Sequence, residues 1–385
     1  MINNKSLHIA FVTPEYPHDS LKPSAGLGSS IKNLANGLIK SGLNVTVFVA
    51  FQNKNETLYD GGIKVISIAR KGYQFFGWYL ERKHIQYVVQ KVISVSCIDV
   101  IEAPDWTGIT AFMKFSVPLV IRLHGSDAYF CFLENRQQKW KHRFLEKQAL
   151  KNANAILSVS RFTGELTKQV FKIKKDITTL YNGIDVDVFK PINVREVEGQ
   201  LLYFGTIIRK KGILELAKAF NLIVQKAPTT TLLLIGKDTV DVFENVSSLG
   251  LFFSALSEAA KPQVIHLPEV TYQEINTYIS KAQIVILPSF AEAFPMTWLE
   301  TLAMEKALVS SNIGWAQELM VDGKTGYTID PKNHKEFALK VLDLLNDSEK
   351  RIRFGREGRQ HVIQKFSVEV VTQQNIEFYK NMIGK

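Results

Sequence analysis

Short β-branched and aliphatic runs recur along the whole chain, and the stretches between several of them carry helical periodicity. Residues 7–13, 44–51, 63–69, 100–103, 118–123, 155–160 and 177–180 form a first series of such runs. Residues 201–204, 231–235, 264–267, 284–287 and 307–310 form a second, most of them followed by a break and a helical pattern such as that of 213–224. Near-continuous apolar runs belong to strands buried on both faces, and their alternation with helices predicts βαβ units around parallel sheets. Two series in 385 residues predict an α/β protein of two Rossmann-like, doubly wound domains facing across a cleft. The charged, aperiodic stretch 185–200, with Pro191 inside it, reads as the linker, so the expected domains are 1–190 and 191–365. A terminal helix over 366–385 is expected from apolar Val368, Val371, Ile376, Phe378 and Met382; packing back on the N-terminal domain is one option for it.

Composition narrows the class. At 46% hydrophobic and 22% charged residues the chain is neither disordered nor collagen-like. Cys97 and Cys131 are too few for a disulfide scaffold or a four-ligand zinc site, and read as reduced thiols of a cytoplasmic protein. No window reaches the roughly 18 apolar residues of a membrane span. The segment Met1-Ile-Asn-Asn-Lys-Ser enters the first strand without a signal-type core. The net charge of +10 is uneven: residues 1–190 hold 25 Lys and Arg against 15 Asp and Glu, whereas 191–385 hold 22 against 22.

Four segments could carry chemistry. Gly26-Leu-Gly28 follows the first strand and leads into the helix expected over 31–40, where free amides suit a phosphate, although a tight turn accounts for the glycines equally well. His124 ends the strand 118–123 at a carboxyl edge, where functional groups concentrate; a structural histidine is the other reading. Arg209-Lys210-Lys211 lies in a strand–helix turn and suits a diphosphate, or is a solvated basic loop. The fourth segment runs from Leu287 to Met304. Pro295 fits the first turn of a helix, which places Glu292 in the preceding loop and Glu300 inside an almost wholly apolar helix. A buried carboxylate is costly unless paired, by ligand hydroxyls or by an internal donor. HExxH, nucleophile-elbow and metal-spaced His/Cys patterns are missing from the sequence.

Taken in order, Gly26-Leu-Gly28, His124-Gly125, Asn182-Gly183-Ile184-Asp185, Lys211-Gly212 and the Glu292/Glu300 pair resemble the motifs of the retaining glycosyltransferases of family 4, of GT-B fold. The resemblance covers essentially the whole chain. It implies transfer of a sugar from a nucleotide-diphosphate donor to a glycan, lipid-linked or small-molecule acceptor, in bacterial-type cell-surface polysaccharide or glycoconjugate synthesis. Glu300 would take the ribose hydroxyls and Glu292 the donor sugar, with the backbone of Ala293, Phe294, Pro295 and Met296 around sugar or phosphate, Pro295 itself having no N–H to give. Lys211 would bind the diphosphate, Gly26 and Gly28 would lie at the donor, and His124 would meet the sugar beside the reacting carbon. His124, Glu292 and Lys211 are thus the expected catalytic groups.

The family's arginine after the strand glycine is here Thr206, so Arg209 or Lys210 is left to supply that charge. Gly314-Trp315 replaces a smaller pair, with Glu318 following in place. No cofactor is expected beyond the donor itself, with UDP or GDP as nucleotide. The sequence offers no Asp-x-Asp of the kind a divalent-metal transferase would need, and two cations with helix dipoles can stabilise the leaving group. The basic first half, with aromatics and cations interleaved over 70–84 and 136–151, is expected to face the acceptor. An anionic membrane surface is a candidate partner and its inner face a peripheral location, against the alternative of a solvated helix face. Nucleic-acid binding lacks any recognition motif. A nucleotide-sugar epimerase or a phosphorylase on the same fold is the alternative activity.

Overall fold

A computed structural model describes residues 6–271 and 274–384, which leaves the Met1–Lys5 stretch read above for targeting outside the described residues. The chain forms two compact units, Met1–Gly183 with Val368–Lys385, and Ile184–Ser367.

In the first unit, eight strands lie in the order β3-β4-β2-β1-β5-β6-β7-β8: β1 (His8–Thr13), β2 (Asn44–Gln52), β3 (Glu56–Asp60), β4 (Ile63–Ala69), β5 (Val100–Pro104), β6 (Leu119–Leu123), β7 (Ala155–Ser158) and β8 (Ile177–Thr179). All pair in parallel except the β3–β4 hairpin. The apolar runs are used on both faces. Ala10, Val12, Phe48 and Ile121 pack into one core layer, while the intervening Ile9, Phe11, Val47 and Val120 fill the other. Strand β3 was not expected, because its polar, half-exposed residues show no core signal. The turn that joins it to β4 is Gly61-Gly62, where both residues take positive φ, as a two-residue hairpin connection requires.

The second unit holds six parallel strands in the order β11-β10-β9-β12-β13-β14: β9 (Gln200–Phe204), β10 (Thr231–Ile235), β11 (Val264–Leu267), β12 (Ile284–Leu287), β13 (Ala307–Ser311) and the short edge strand β14 (Tyr327–Ile329). Chain direction across each sheet reverses once, between β1 and β5 in the first unit and between β9 and β12 in the second. Open α/β sheets bind ligands outside the carboxyl ends of their strands at such a reversal, so the loops after β9 and β12 are the first place to look.

The polypeptide leaves the first unit at Gly183 and returns at Val368. The stretch 185–200 read as a linker belongs to the second unit, where Phe189 is fully buried and Arg359 donates to the carbonyls of Val186 and Phe189. The last helix, Val368–Met382, belongs to the first unit and crosses the helix Gly26–Lys40 closely: a Cβ at Gly37 would lie 2.0 Å from Thr372 Oγ1. It also completes a buried polar network. Arg122 on β6 forms two bonds to Glu102 on β5, at 2.7 and 2.9 Å, Asn375 accepts from Arg122, and Tyr379 donates to Glu102 at 2.7 Å. With this helix included, the first unit carries 26 Lys and Arg against 15 Asp and Glu, and the second 21 against 22.

Candidate active site

The loops after β9 and β12 clasp each other. Phe290 and Ala291, after β12, donate to the carbonyl of Lys210, at 2.8 and 3.3 Å. Gly212 closes the turn at φ +73°, and any Cβ there would strike the Pro288 carbonyl at 1.9 Å, so only glycine permits the approach. Gly205, directly after β9, leaves room for the Lys211 side chain, whose Nζ would lie 3.5 Å from a Cβ at that position. Lys211 therefore reaches back over the strand end, and its ammonium lies 3.2 Å from Glu292 Oε1. Ser289 donates to the same carboxylate oxygen at 3.0 Å.

The helix after this loop is Met296–Ala303, with Pro295 as its N-cap residue rather than within the first turn. Ala293, Phe294 and Met296 are buried, the Phe294 ring packing at 5.5 Å against Phe366, so the loop turns its side chains inward. Among the described residues the first-turn N–H groups of Met296 and Thr297 donate to no backbone carbonyl outside the helix, as expected of the orphan donors of a helix start. Glu300, one turn further on, is only 7% exposed, and no described residue donates a hydrogen bond to its carboxylate. Burial pushes its pKa up from 4.5 to about 7, against the opposing attraction of Lys211. A lysine, an ion-paired carboxylate and a buried carboxylate lacking a donor thus converge at the chain reversal of this sheet.

In the first unit, His124 follows β6. Its N–H donates to Asp105 Oδ1 at 2.9 Å, and no described residue bonds to its imidazole. Burial, then the Arg122 guanidinium, lowers its pKa to about 3, which leaves the ring neutral at any physiological pH. The segment it begins is held by two buried carboxylates that the sequence reading missed. Asp105 accepts the backbone N–H of His124; Glu146 accepts those of Asp127 and Ala128, at 2.9 and 3.2 Å. Burial pushes Asp105 up to about 8 and Glu146 to about 7. The signal for Asp105 was its place just beyond a buried strand, the same signal that singled out His124. Glu146 sits inside a helix, Trp140–Asn152, far along the chain, and no local pattern marks it.

The model described as "Glycosyl transferases group 1" matches residues 186–361, and that described as "Glycosyltransferase Family 4" matches residues 24–188. The chain belongs to the group 1 glycosyltransferases. This glycosyltransferase is 24% identical over 412 residues to a glycogen synthase of Mycobacterium tuberculosis, a match covering 97% of this chain and 94% of the relative. Its fold is GT-B, as in the sucrose-phosphate synthase of Thermosynechococcus elongatus: TM-score 0.81, 18% identity, 98% of this chain and 99% of the other covered. Anabaena Alr3699/HepE, solved in complex with UDP and glucose, superposes with a TM-score of 0.75 at 17% identity, covering 97% and 100% of the two chains.

Several residues of the glycosyltransferase fall differently from the sequence reading. Helix Gly26–Lys40 begins at the glycines themselves, and the Glu15 carboxylate takes the N–H groups of Ala25 and Gly28, at 3.0 and 2.9 Å. A Cβ at Gly28 would meet Ser24, Pro17 and the Glu15 carbonyl, whereas one at Gly26 meets nothing within 4 Å. Thr206 is exposed, its carbonyl accepting from Tyr203. Arg209 pairs with Asp241 at 2.7 Å and Glu244 at 2.5 Å, and these partners raise its pKa further. The chain does contain one literal Asp-x-Asp, Asp185-Val186-Asp187; the Asp185 carboxylate caps a turn there, accepting from the N–H groups of Asp187 and Val188. Trp315 is fully buried beyond β13, at the start of the short helix Ala316–Leu319 that carries Glu318. Cys97 and Cys131 are both free thiols.

Proposed function

We propose that the second unit binds a nucleotide-diphosphate sugar and that the enzyme moves the sugar, with retention, to a hydroxyl of a glycan, lipid-linked or small-molecule acceptor. The observation that carries this reading is the buried Glu300 carboxylate, which lacks a donor and stands beside the Lys211–Glu292 pair. A vicinal pair of ribose hydroxyls supplies the donors that Glu300 lacks. The diphosphate replaces Glu292 as the partner of Lys211, and the released Glu292 accepts from hydroxyls of the donor sugar. The UDP and glucose named for Anabaena Alr3699/HepE support UDP as nucleotide, with GDP the alternative.

Chemically, the acceptor oxygen forms a bond to the anomeric carbon while the bond from that carbon to the β-phosphate oxygen breaks on the same face. The acceptor proton passes to the departing phosphate oxygen. Negative charge grows on the diphosphate as this proceeds, and Lys211 with the amides at the start of helix Met296–Ala303 meets it without a metal ion. Neutral His124 contacts the donor sugar as a hydrogen-bonding group rather than a cation. Acceptor binding falls to the basic first unit, with the inner face of a membrane as the place of work and surface polysaccharide or glycoconjugate synthesis as the setting.

Thermal stabilisation by a panel of nucleotide sugars, followed by product analysis with glycan and lipid acceptors, tests the reading. The expected result is stabilisation by a UDP or GDP sugar and an α-linked product from an α-linked donor. Conversion of the donor without an acceptor, or release of sugar phosphate on adding phosphate, overturns it in favour of an epimerase or a phosphorylase.

A further inference from the structure

The first unit exposes aromatic rings in one connected place. The rings of Trp78, Phe112 and Phe144 lie in series, 5.8 Å between centroids at each step, and join the start of helix Gly77–Ser96 to the start of helix Trp140–Asn152. At one end of this series Phe75 and Phe76 are 75% and 72% exposed; at the other, Trp140 is 79% exposed. Phe76 holds φ +52°, a left-handed conformation costly for a residue with a side chain, and it turns the chain into the helix at this point. A folded chain rarely leaves so many large rings in water together without a use for them.

The charges around these rings are of one sign. Arg70 and Lys71 precede Phe75 and Phe76 in the chain, Lys139 and Lys141 flank Trp140, and Lys147 follows Phe144 by three residues on the same helix; all five are exposed, and Lys141 lies over the Trp78 ring at 5.8 Å. The nearby carboxylates are turned inward: Glu81 is buried and accepts from the Lys71 N–H, and Glu146 is buried against the His124 segment. The patch lies at the carboxyl edge of the sheet, because helix Gly77–Ser96 follows β4 and Phe112 follows β5. Buried Arg82 anchors it there, donating to the carbonyls of Trp78, Thr107 and Gly108. The same edge carries His124.

We infer that this patch docks the first unit on an anionic lipid bilayer, with the exposed rings entering the headgroup region and the cations paired with lipid phosphates. Aromatic rings beside lysines suit the membrane interface, where an apolar body and a cation are both satisfied. Each cation within reach of an anionic leaflet strengthens binding about fivefold. A neutral glycan platform would use the rings but would have no use for five exposed cations that form no ion pair with a carboxylate among the described residues. The transferase reading bears only on what the surface is for: a lipid-borne acceptor would arrive at the edge that carries His124.

Co-sedimentation of the full chain with vesicles of phosphatidylcholine alone, and with added phosphatidylglycerol, tests the docking. The expected result is binding that requires the anionic lipid, falls with salt, and shifts tryptophan emission to the blue. Phe75→Ser/Phe76→Ser/Trp140→Ser and, separately, Lys71→Glu/Lys141→Glu change only exposed side chains, and each should weaken binding by at least roughly tenfold. Nucleotide-sugar affinity, read on the same variants, should stay at the wild-type value whether or not the docking holds. Equal binding to both vesicle types, wild-type partitioning by both variants, or loss of binding to a soluble polysaccharide in place of the vesicles overturns the inference.

Discussion

Glu300→Gln puts the burial of this carboxylate to a quantitative test. The folded-state pKa of about 7 stands above the ordinary 4.5, so the folded state holds more protons than the unfolded state between those values. Stability therefore falls as pH rises through that window, and the full penalty, about 3 kcal/mol at 1.36 kcal/mol per pH unit, is in force above pH 7. Glutamine keeps the shape and removes the charge. The variant should therefore melt higher than the parent at pH 8, by roughly 6–12 °C for a unit of this size, and the gap should close towards pH 4. Nucleotide-sugar binding provides the second arm. At pH 6 a carboxyl of this pKa is roughly nine-tenths protonated, and a pair of ribose hydroxyls donating one to each oxygen favours the anion, which alone accepts at both. Binding at pH 6 should release close to one proton, seen by calorimetry in buffers of different ionisation enthalpy, and almost none near pH 8.5. Glu300→Gln should abolish that release and weaken binding about 10- to 100-fold. Equal melting temperatures at pH 8 would refute the burial account, and unchanged affinity with unchanged proton release would remove Glu300 from the donor site.

Two further outcomes follow from the first unit. His124, lowered to about pKa 3, is neutral across pH 5–8, so the turnover–pH profile should have no limb that disappears in His124→Gln, although turnover itself should fall more than donor affinity; a limb near pH 6.5 abolished by that substitution would contradict the assignment. Glu102→Gln leaves Arg122 buried without its counter-charge and should cost the first unit about 3–5 kcal/mol, read in calorimetry as an earlier transition for that unit alone; an unchanged first transition would show that the network is not what ties Val368–Met382 in place.

Most of the sheet was legible because strands buried on two faces must be written as apolar runs, and the run at 231–235 matches β10 residue for residue. β3 and β14 escaped because an edge strand need carry no apolar run, although the other two edge strands, β8 and β11, do carry one. The acidic pair was legible for a related reason: Glu300 is conspicuous in an apolar helix, and Pro295 marks where that helix begins. Glu146 was not, since a carboxylate inside a helix that accepts backbone N–H groups of a distant loop has no local signature; Glu15 and Asp105 stand just beyond buried strands, a place that marks the residue without naming the N–H groups it holds.

The sequence by itself determined two parallel α/β sheets, the loops that end their central strands, and the residues those loops could offer a ligand. These follow from periodicity and from the cost of burying charge, both local properties of the chain. Only the tertiary structure decided which partner each charge meets. It ties Arg209 to Asp241 and Glu244, leaves Lys211 with Glu292, and brings Tyr379 and Asn375 to a buried ion pair in the first unit. The final helix belongs to the first unit for the same physical reason: Gly37, Thr372 and the polar groups around Arg122 are complementary only once the chain has folded back on itself.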